Sequence, residues 1–317
     1  MLRLSSLSRN LLILHATVFV WGFTGILGAL ISIPATQLVW YRVLIASITL
    51  YIYFKASKTD FRVSRQAFIR LFFTGAIVAI HWIMFFQSIK VSTVSVGLVC
   101  LSSITLFTAI LEPILNQKRV SSVEIIIGLL IITGIYLIFK FESRYSLGII
   151  CGLISAFCAS LFSIINSKQI KNRTAPVIAY YEMIGAWVWI SLYLTFTTPL
   201  NFHLSLPFSD IIYLLILGTI CTSMAYVAGV AVMKELTAFR VALITNLEPI
   251  YAIILAFILF GKREQMTTGF YLGSVIILAS IFLYPILKVR LEKLKLQKKS
   301  ATNFKSNNNP SCYTKNK

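Results

Sequence analysis

Charge is what this chain has least of. Charged residues fill 12% of its 317 positions, against about 25% in an ordinary soluble protein. Acids are the scarcest, with ten Asp and Glu beside 29 Lys and Arg. The three histidines (His15, His81, His203) stand far apart, and no Cys, His, Asp or Glu fall at metal-ligand spacing. There is no phosphate loop and no nucleophile-and-base set. These absences argue against a soluble domain, a metal site, an enzyme and a pump driven by ATP bound to this chain, so no cofactor is expected. Eight prolines and a low charge content exclude a disordered chain as well.

What is present is apolar. Residues of apolar type make up 58% of the chain, and the mean hydropathy is +0.84, values expected of a protein whose solvent is largely lipid. The net charge of +19 would suit nucleic acid if it formed a stripe. Instead the basic residues gather in short connectors and in the last 30 positions, a membrane pattern with no nucleic-acid partner. Cys100, Cys151, Cys158 and Cys221 lie in apolar runs, where cysteine acts as a small hydrophobe, and Cys312 lies in the polar tail. The first apolar run continues without charge from Asn10 to Tyr41 and lacks a small-residue cleavage site, so it reads as a retained span.

A hydrocarbon core of about 30 Å takes about 20 apolar helical residues. Cutting the chain at charges and turn residues gives ten spans: 11–31, 36–54, 67–89, 92–116, 121–139, 146–167, 175–197, 209–232, 237–260 and 266–287. The runs are continuous rather than alternating, which excludes a β-barrel. The expected class is an all-α integral membrane protein. Residues 288–317, rich in Lys and Asn, read as a disordered basic tail. With a cytoplasmic N-terminus, 23 basic residues fall on the cytoplasmic side and five outside. Both termini are therefore expected in the cytoplasm of a bacterial cell, with the spans in its plasma membrane.

An internal repeat follows from register. Leu111-Glu112-Pro113 recurs as Leu247-Glu248-Pro249, but that offset sets a connector against an apolar run. An offset of 144 aligns Lys90 with Lys234, Thr93 with Thr237, and Lys118-Arg119 with Lys262-Arg263, so helix ends meet helix ends. Two five-span halves result, 1–143 and 144–287. Five being odd, the second half enters from the opposite side, an inverted repeat of the kind transporters use, with a site near the midplane. Small-residue stripes such as Gly148, Gly152 and Ala156, or Gly218, Thr222 and Ala225, suit close helix packing in lipid.

Trp21-Gly22 in the first span, Trp40-Tyr41-Arg42 in the second, and Glu248-Pro249 in the ninth followed by Gly261-Lys262-Arg263-Glu264 together resemble the drug/metabolite transporter superfamily, in its EamA branch. The resemblance implies export or exchange of a small-molecule substrate through a central cavity, mainly between spans 1, 3, 4 and 6, 8, 9. Where that family often has proline in the first half this chain has Thr105.

A charge at the bilayer centre costs on the order of 3 kcal/mol, yet Arg42, Glu112, Glu182 and Glu248 lie inside spans. Arg42 could snorkel or face the cavity. Glu112 reads as a solvated helix end. Glu182 shares a face with Ala179, Gly185 and Ala186, and Glu248 shares one with Thr245 and Tyr251 beside the helix-breaking Pro249. Proton coupling, recognition of a substrate charge and a structural brace are all open to Glu248. Trp21, His81, Trp82 and Tyr226 complete the candidate substrate-binding or coupling set, with Asn166 weaker. Ser121 and Glu124 read as a capping box. A secondary carrier working by alternating access is the leading reading; a channel-like pore and a purely structural membrane protein are the alternatives.

Overall fold

The computed structural model describes residues 6–117, 122–197 and 206–307, and among them there is no strand. The first half comprises α1 (Ser6–Leu30), α2 (Ala35–Ser57), α3 (Arg65–Val91), α4 (Val94–Leu101), α5 (Ile104–Leu115) and α6 (Ser122–Phe141). In the second half come α7 (Ser146–Gln169), α8 (Ala175–Thr197), α9 (Phe208–Gly218), a π-helical turn (Thr219–Met224) and α10 (Ala225–Val232). They are followed by α11 (Ala238–Thr245), α12 (Glu248–Phe260) and α13 (Thr268–Asn307).

Local chemistry sets the ends of these helices. Pro34 and Pro207 stand at the N-caps of α2 and α9, where a residue without an N–H removes no helical hydrogen bond. Ser64 opens α3 by accepting from Ala67 N at 3.3 Å, which satisfies one of the first-turn donors. α2 stops at Lys58, which adopts the left-handed conformation with φ of 52°.

Eight helical segments are long and apolar enough to cross a membrane, and two shorter apolar helices lie at Ile126–Phe141 and Thr268–Tyr284. Large apolar side chains point outward, including Phe196 at 82% and Ile258 at 71% exposure. A water-facing surface rarely carries so much apolar area, and the chain is a multi-pass membrane protein. Its interior is shared between the halves: α3 packs on α7 and α8, α2 on α8 and α9, and α6 on α13.

The fourth and ninth spans are each two helices rather than one. α4 and α5 meet at Ser102–Ser103, α11 and α12 at Asn246–Leu247. Thr93 caps α4 by accepting from Val96 N, and Thr237 caps α11 by accepting from Arg240 N, both at 3.2 Å. Thr93 and Thr237, like Ser102 and Asn246, stand 144 residues apart, the register in which helix ends meet. The first half breaks without a proline. Asn246 donates to Thr105 and to the Ala242 carbonyl, so a cross-half hydrogen bond supports both breaks.

One expectation is revised. α13 does not end near residue 287; it runs to Asn307 through a stretch read from sequence as disordered. Residues 288–307 are rich in Lys and Leu, good helix formers, and contain neither Gly nor Pro to stop a helix already under way. Positions 308–317 of that tail, and Ser121 of the capping box, lie outside the described residues.

Candidate functional site

The arginine of α2 is among the largest side chains that the fold encloses completely. Arg42 is 1% exposed, and its Nε donates to Thr222 Oγ1 at 2.6 Å. Thr222 sits in the π-helical turn and donates its own hydroxyl to Leu217 O, five residues back, at 2.6 Å; Ser223 does the same to Gly218 O at 2.9 Å. Such wide turns recur at functional sites, and this one turns a hydroxyl into an acceptor for a buried cation. The guanidinium lies 4.0 Å from the centroid of the Trp82 ring and 5.5 Å from that of Phe86. Cation–π contacts of this kind contribute about 2 kcal/mol when desolvated. Arg42 Nη1 has no protein partner.

Arg42 opens on a cavity of about 90 Å³ shared by the two halves, room for a handful of waters. Its walls include Trp21, Thr24, Trp82, Phe85, Phe162 and Tyr226. Glu248, 5% exposed, also lines it from the first turn of α12, where the helix dipole favours a negative charge. Among the described residues no ion pair within 4.0 Å joins Arg42 and Glu248. A buried guanidinium and a buried carboxyl group thus face one small space, each without the other as a direct partner.

Six of the seven candidate residues line this cavity: Trp21, Arg42, His81, Trp82, Tyr226 and Glu248. His81 is engaged elsewhere, with Nδ1 at 2.8 Å from Ser155 Oγ and 3.0 Å from Ser155 O, which ties α3 to α7. Glu182 is not on the wall. It lies behind it, fully buried, with Oε2 accepting from Tyr226 Oη at 2.8 Å and from Asn166 Nδ2 at 3.1 Å. Tyr226 joins the two places: its hydroxyl reaches Glu182, while its ring packs on Trp82 and Phe162 with centroids 5.7 and 6.0 Å away.

Three further acids hold the ends of the helices that wall the cavity. Glu264 accepts from Val94 N at 3.1 Å, Ser95 N at 2.9 Å and Ser95 Oγ at 2.6 Å, so the second half caps α4 of the first. Glu112 accepts from Phe239 N at 3.1 Å, so the first half caps α11 of the second; it is a cap rather than a merely solvated helix end. Asp210 accepts from Ser32 N at 3.0 Å and Ser32 Oγ at 2.7 Å, joining α9 to the connector after α1. A separate recess of about 390 Å³ beside Glu264, lined by Arg144, Lys262 and Arg263 among others, holds none of the candidate residues.

The reading from sequence missed Thr222 as a partner of Arg42, because a π-helical turn has no local signature. It also missed Glu264 as a cap, because the contact spans 169 residues. The Thr-x-x pattern at Thr93 and Thr237 was the signal that could have exposed the capped ends.

Comparison with known proteins gives the chain its place. The sequence profile of the EamA-like transporter family matches twice, over residues 9–140 and 146–285. No curated protein matches the chain. One solved structure, described as the crystal structure of a protein, is similar in fold, with a TM-score of 0.67 and 14% identity. The similarity covers 89% of this chain and 99% of the other.

Proposed function

The chain belongs to the EamA-like transporter family, and from that premise we propose that it is a secondary carrier which exports or exchanges a small metabolite by alternating access. The observation that carries the reading is the cavity between the halves, which Arg42 and Glu248 line with a guanidinium and a carboxyl group that form no ion pair with each other among the described residues. A substrate with an anionic group would find the free Nη1 of Arg42. A cationic or hydrogen-bond-donating group on the same molecule would find Glu248, and its apolar body the rings of Trp21, Trp82 and Phe162. Charge-assisted hydrogen bonds of this kind are strong in a dry site, and they give specificity because a ligand lacking either group leaves a buried charge unmatched.

In this reading the chain crosses the plasma membrane ten times, the two shorter apolar helices included, with both termini cytoplasmic and the halves inverted. The basic residues of the connectors support the orientation. Rocking of the halves about the cavity then exposes it to one side at a time. The reciprocal caps, Glu264 on α4 and Glu112 on α11, lie where such movement would part the halves at one end and close them at the other.

The test is efflux of a panel of radiolabelled small metabolites from cells with and without the protein, repeated with Glu248→Gln and Arg42→Gln. At least one metabolite should leave faster with the wild-type protein, and both variants should slow it at unchanged membrane abundance. A panel in which nothing moves, or in which both variants behave as wild type, would sink the assignment.

A further inference from the structure

We propose that Glu182, Asn166 and Tyr226 form a proton-binding site set behind the substrate cavity and joined to it by the ring of Tyr226.

The geometry is that of a carboxyl group enclosed without a counter-charge. Glu182 and Asn166 are both 0% exposed. Glu182 Oε2 takes both available donors, Tyr226 Oη and Asn166 Nδ2, and Asn166 Nδ2 also reaches Tyr226 Oη at 3.1 Å. Two oxygens of this cluster, Glu182 Oε1 and Asn166 Oδ1, have no hydrogen-bond partner among the described residues. Among the described residues, no Lys, Arg or His pairs with Glu182. From α10 the titratable group facing it is Tyr226, and from α7 the polar side chain is the neutral Asn166. α3 approaches with backbone at Gly75, and Arg42 of α2 is directed to Thr222 and Trp82.

An uncompensated buried carboxylate is among the costliest groups a fold can hold, so a cation belongs there. A proton fits best. It needs one oxygen, forms an O–H bond on Oε1, and turns two orphaned acceptors into one donor and one acceptor. Sodium would need several oxygens at once, and the N–H bonds of Asn166 point into the same space. The proton comes from water and returns to water, with no other bond made or broken.

The location gives the site its meaning. Tyr226 donates to Glu182 with its hydroxyl and walls the substrate cavity with its ring, so gain or loss of the proton changes the hydrogen bonding of a cavity residue without placing Glu182 in contact with substrate. Use of this proton to drive flux rests on the carrier reading above; the occupancy of the site does not.

Infrared difference spectra of the purified full-length protein in lipid nanodiscs, recorded between acid and alkaline buffer in potassium chloride, test the proton directly. The wild type should show a carboxylic-acid C=O band that shifts in heavy water, and Glu182→Gln should lose one such band that Glu248→Gln retains. Tyr226→Phe, which leaves the carboxyl in place, should move that band and its titration midpoint. This second variant decides the matter if Glu182→Gln fails to fold. Identical spectra for wild type and Glu182→Gln, a band unmoved in Tyr226→Phe, or a band abolished when sodium chloride replaces potassium chloride would each overturn the proposal. A carrier assignment that failed in efflux would leave the band intact, and a missing band would leave the carrier assignment standing.

Discussion

α2 and α8 are the same helix built twice, one with a base and the other with an acid. Each is 23 residues long, and each starts at an alanine, Ala35 or Ala175. Each carries two aromatic residues followed by an ionisable one at its eighth position, Trp40-Tyr41-Arg42 in one and Tyr180-Tyr181-Glu182 in the other. Each is crossed at that point by a glycine of the span that follows the other: a Cβ on Gly218 of α9 would lie 3.1 Å from Arg42 O, and one on Gly75 of α3 would lie 2.5 Å from Glu182 O. Yet Arg42 faces the cavity and Glu182 does not. The partner helices account for the difference. α3 is continuous where α8 meets it, whereas the helix crossing α2 contains the π-helical turn that presents Thr222 to the guanidinium. Arg42 and Glu182 stand 140 residues apart, about one helical turn off the 144-residue register of the capped ends, so the repeat preserves the helix face and the close approach, and one wide turn decides which of the two side chains faces the cavity.

The largest effect expected from this comparison is all-or-none. If α2 and α8 enter the membrane from opposite sides, an impermeant maleimide applied to intact cells should label Phe208→Cys and spare Thr59→Cys and Asn172→Cys. Labelling of one of Thr59→Cys and Asn172→Cys without the other would remove the inversion, and with it the equivalence of the two helices across the membrane.

The glycine crossings come next. Gly75 faces backbone, with Glu182 O at 2.5 Å and Ala186 N at 2.8 Å from a Cβ, whereas the nearest atoms at Gly218 belong to the Ile45 side chain, at 2.6 Å. A side chain can rotate away and a helix backbone cannot, so Gly75→Ala should destabilise more than Gly218→Ala, by an overpacking cost of about 1–3 kcal/mol. Thermal unfolding in detergent would show it as the lower midpoint, and equal midpoints would mean that the two crossings are equally pliable.

Thr222→Val tests what the wide turn contributes. It removes a hydrogen bond to a charged group, an effect of about 1.5–3 kcal/mol, and should raise the KM for the metabolite found in the labelled panel about tenfold while membrane abundance stays level. An unchanged KM would mean that Trp82 alone holds Arg42 in place. Smallest of all should be the paired caps. Glu264→Gln and Glu112→Gln each remove a charge at a helix N-terminus, about 0.3–1 kcal/mol, and small, similar decreases in melting temperature are expected.

Much of the architecture was legible in advance because lipid imposes simple rules on sequence. Apolar runs without charge marked the helices, and Thr93 with Thr237 gave the repeat register. Trp21, Arg42, Trp82 and Glu248 stood out because a charge or an indole on a small-residue face needs a reason. What was not legible depends on contacts between residues distant in sequence. Asn246 meeting Thr105, Glu264 reaching α4 and Thr222 turning toward Arg42 join segments more than 140 residues apart. The helical continuation of α13 was hidden for the opposite reason: its charge suggested disorder, while its helix propensity is local and favourable.

The central claim is that Arg42, and not its counterpart Glu182, contacts the transported molecule. The direct measurement is concentration-dependent efflux of the metabolite found in the labelled panel, compared among wild type, Arg42→Gln and Glu182→Gln at matched membrane abundance. The account predicts a KM at least tenfold higher for Arg42→Gln and near the wild-type value for Glu182→Gln. A wild-type KM in Arg42→Gln, or the larger change in Glu182→Gln, would contradict it.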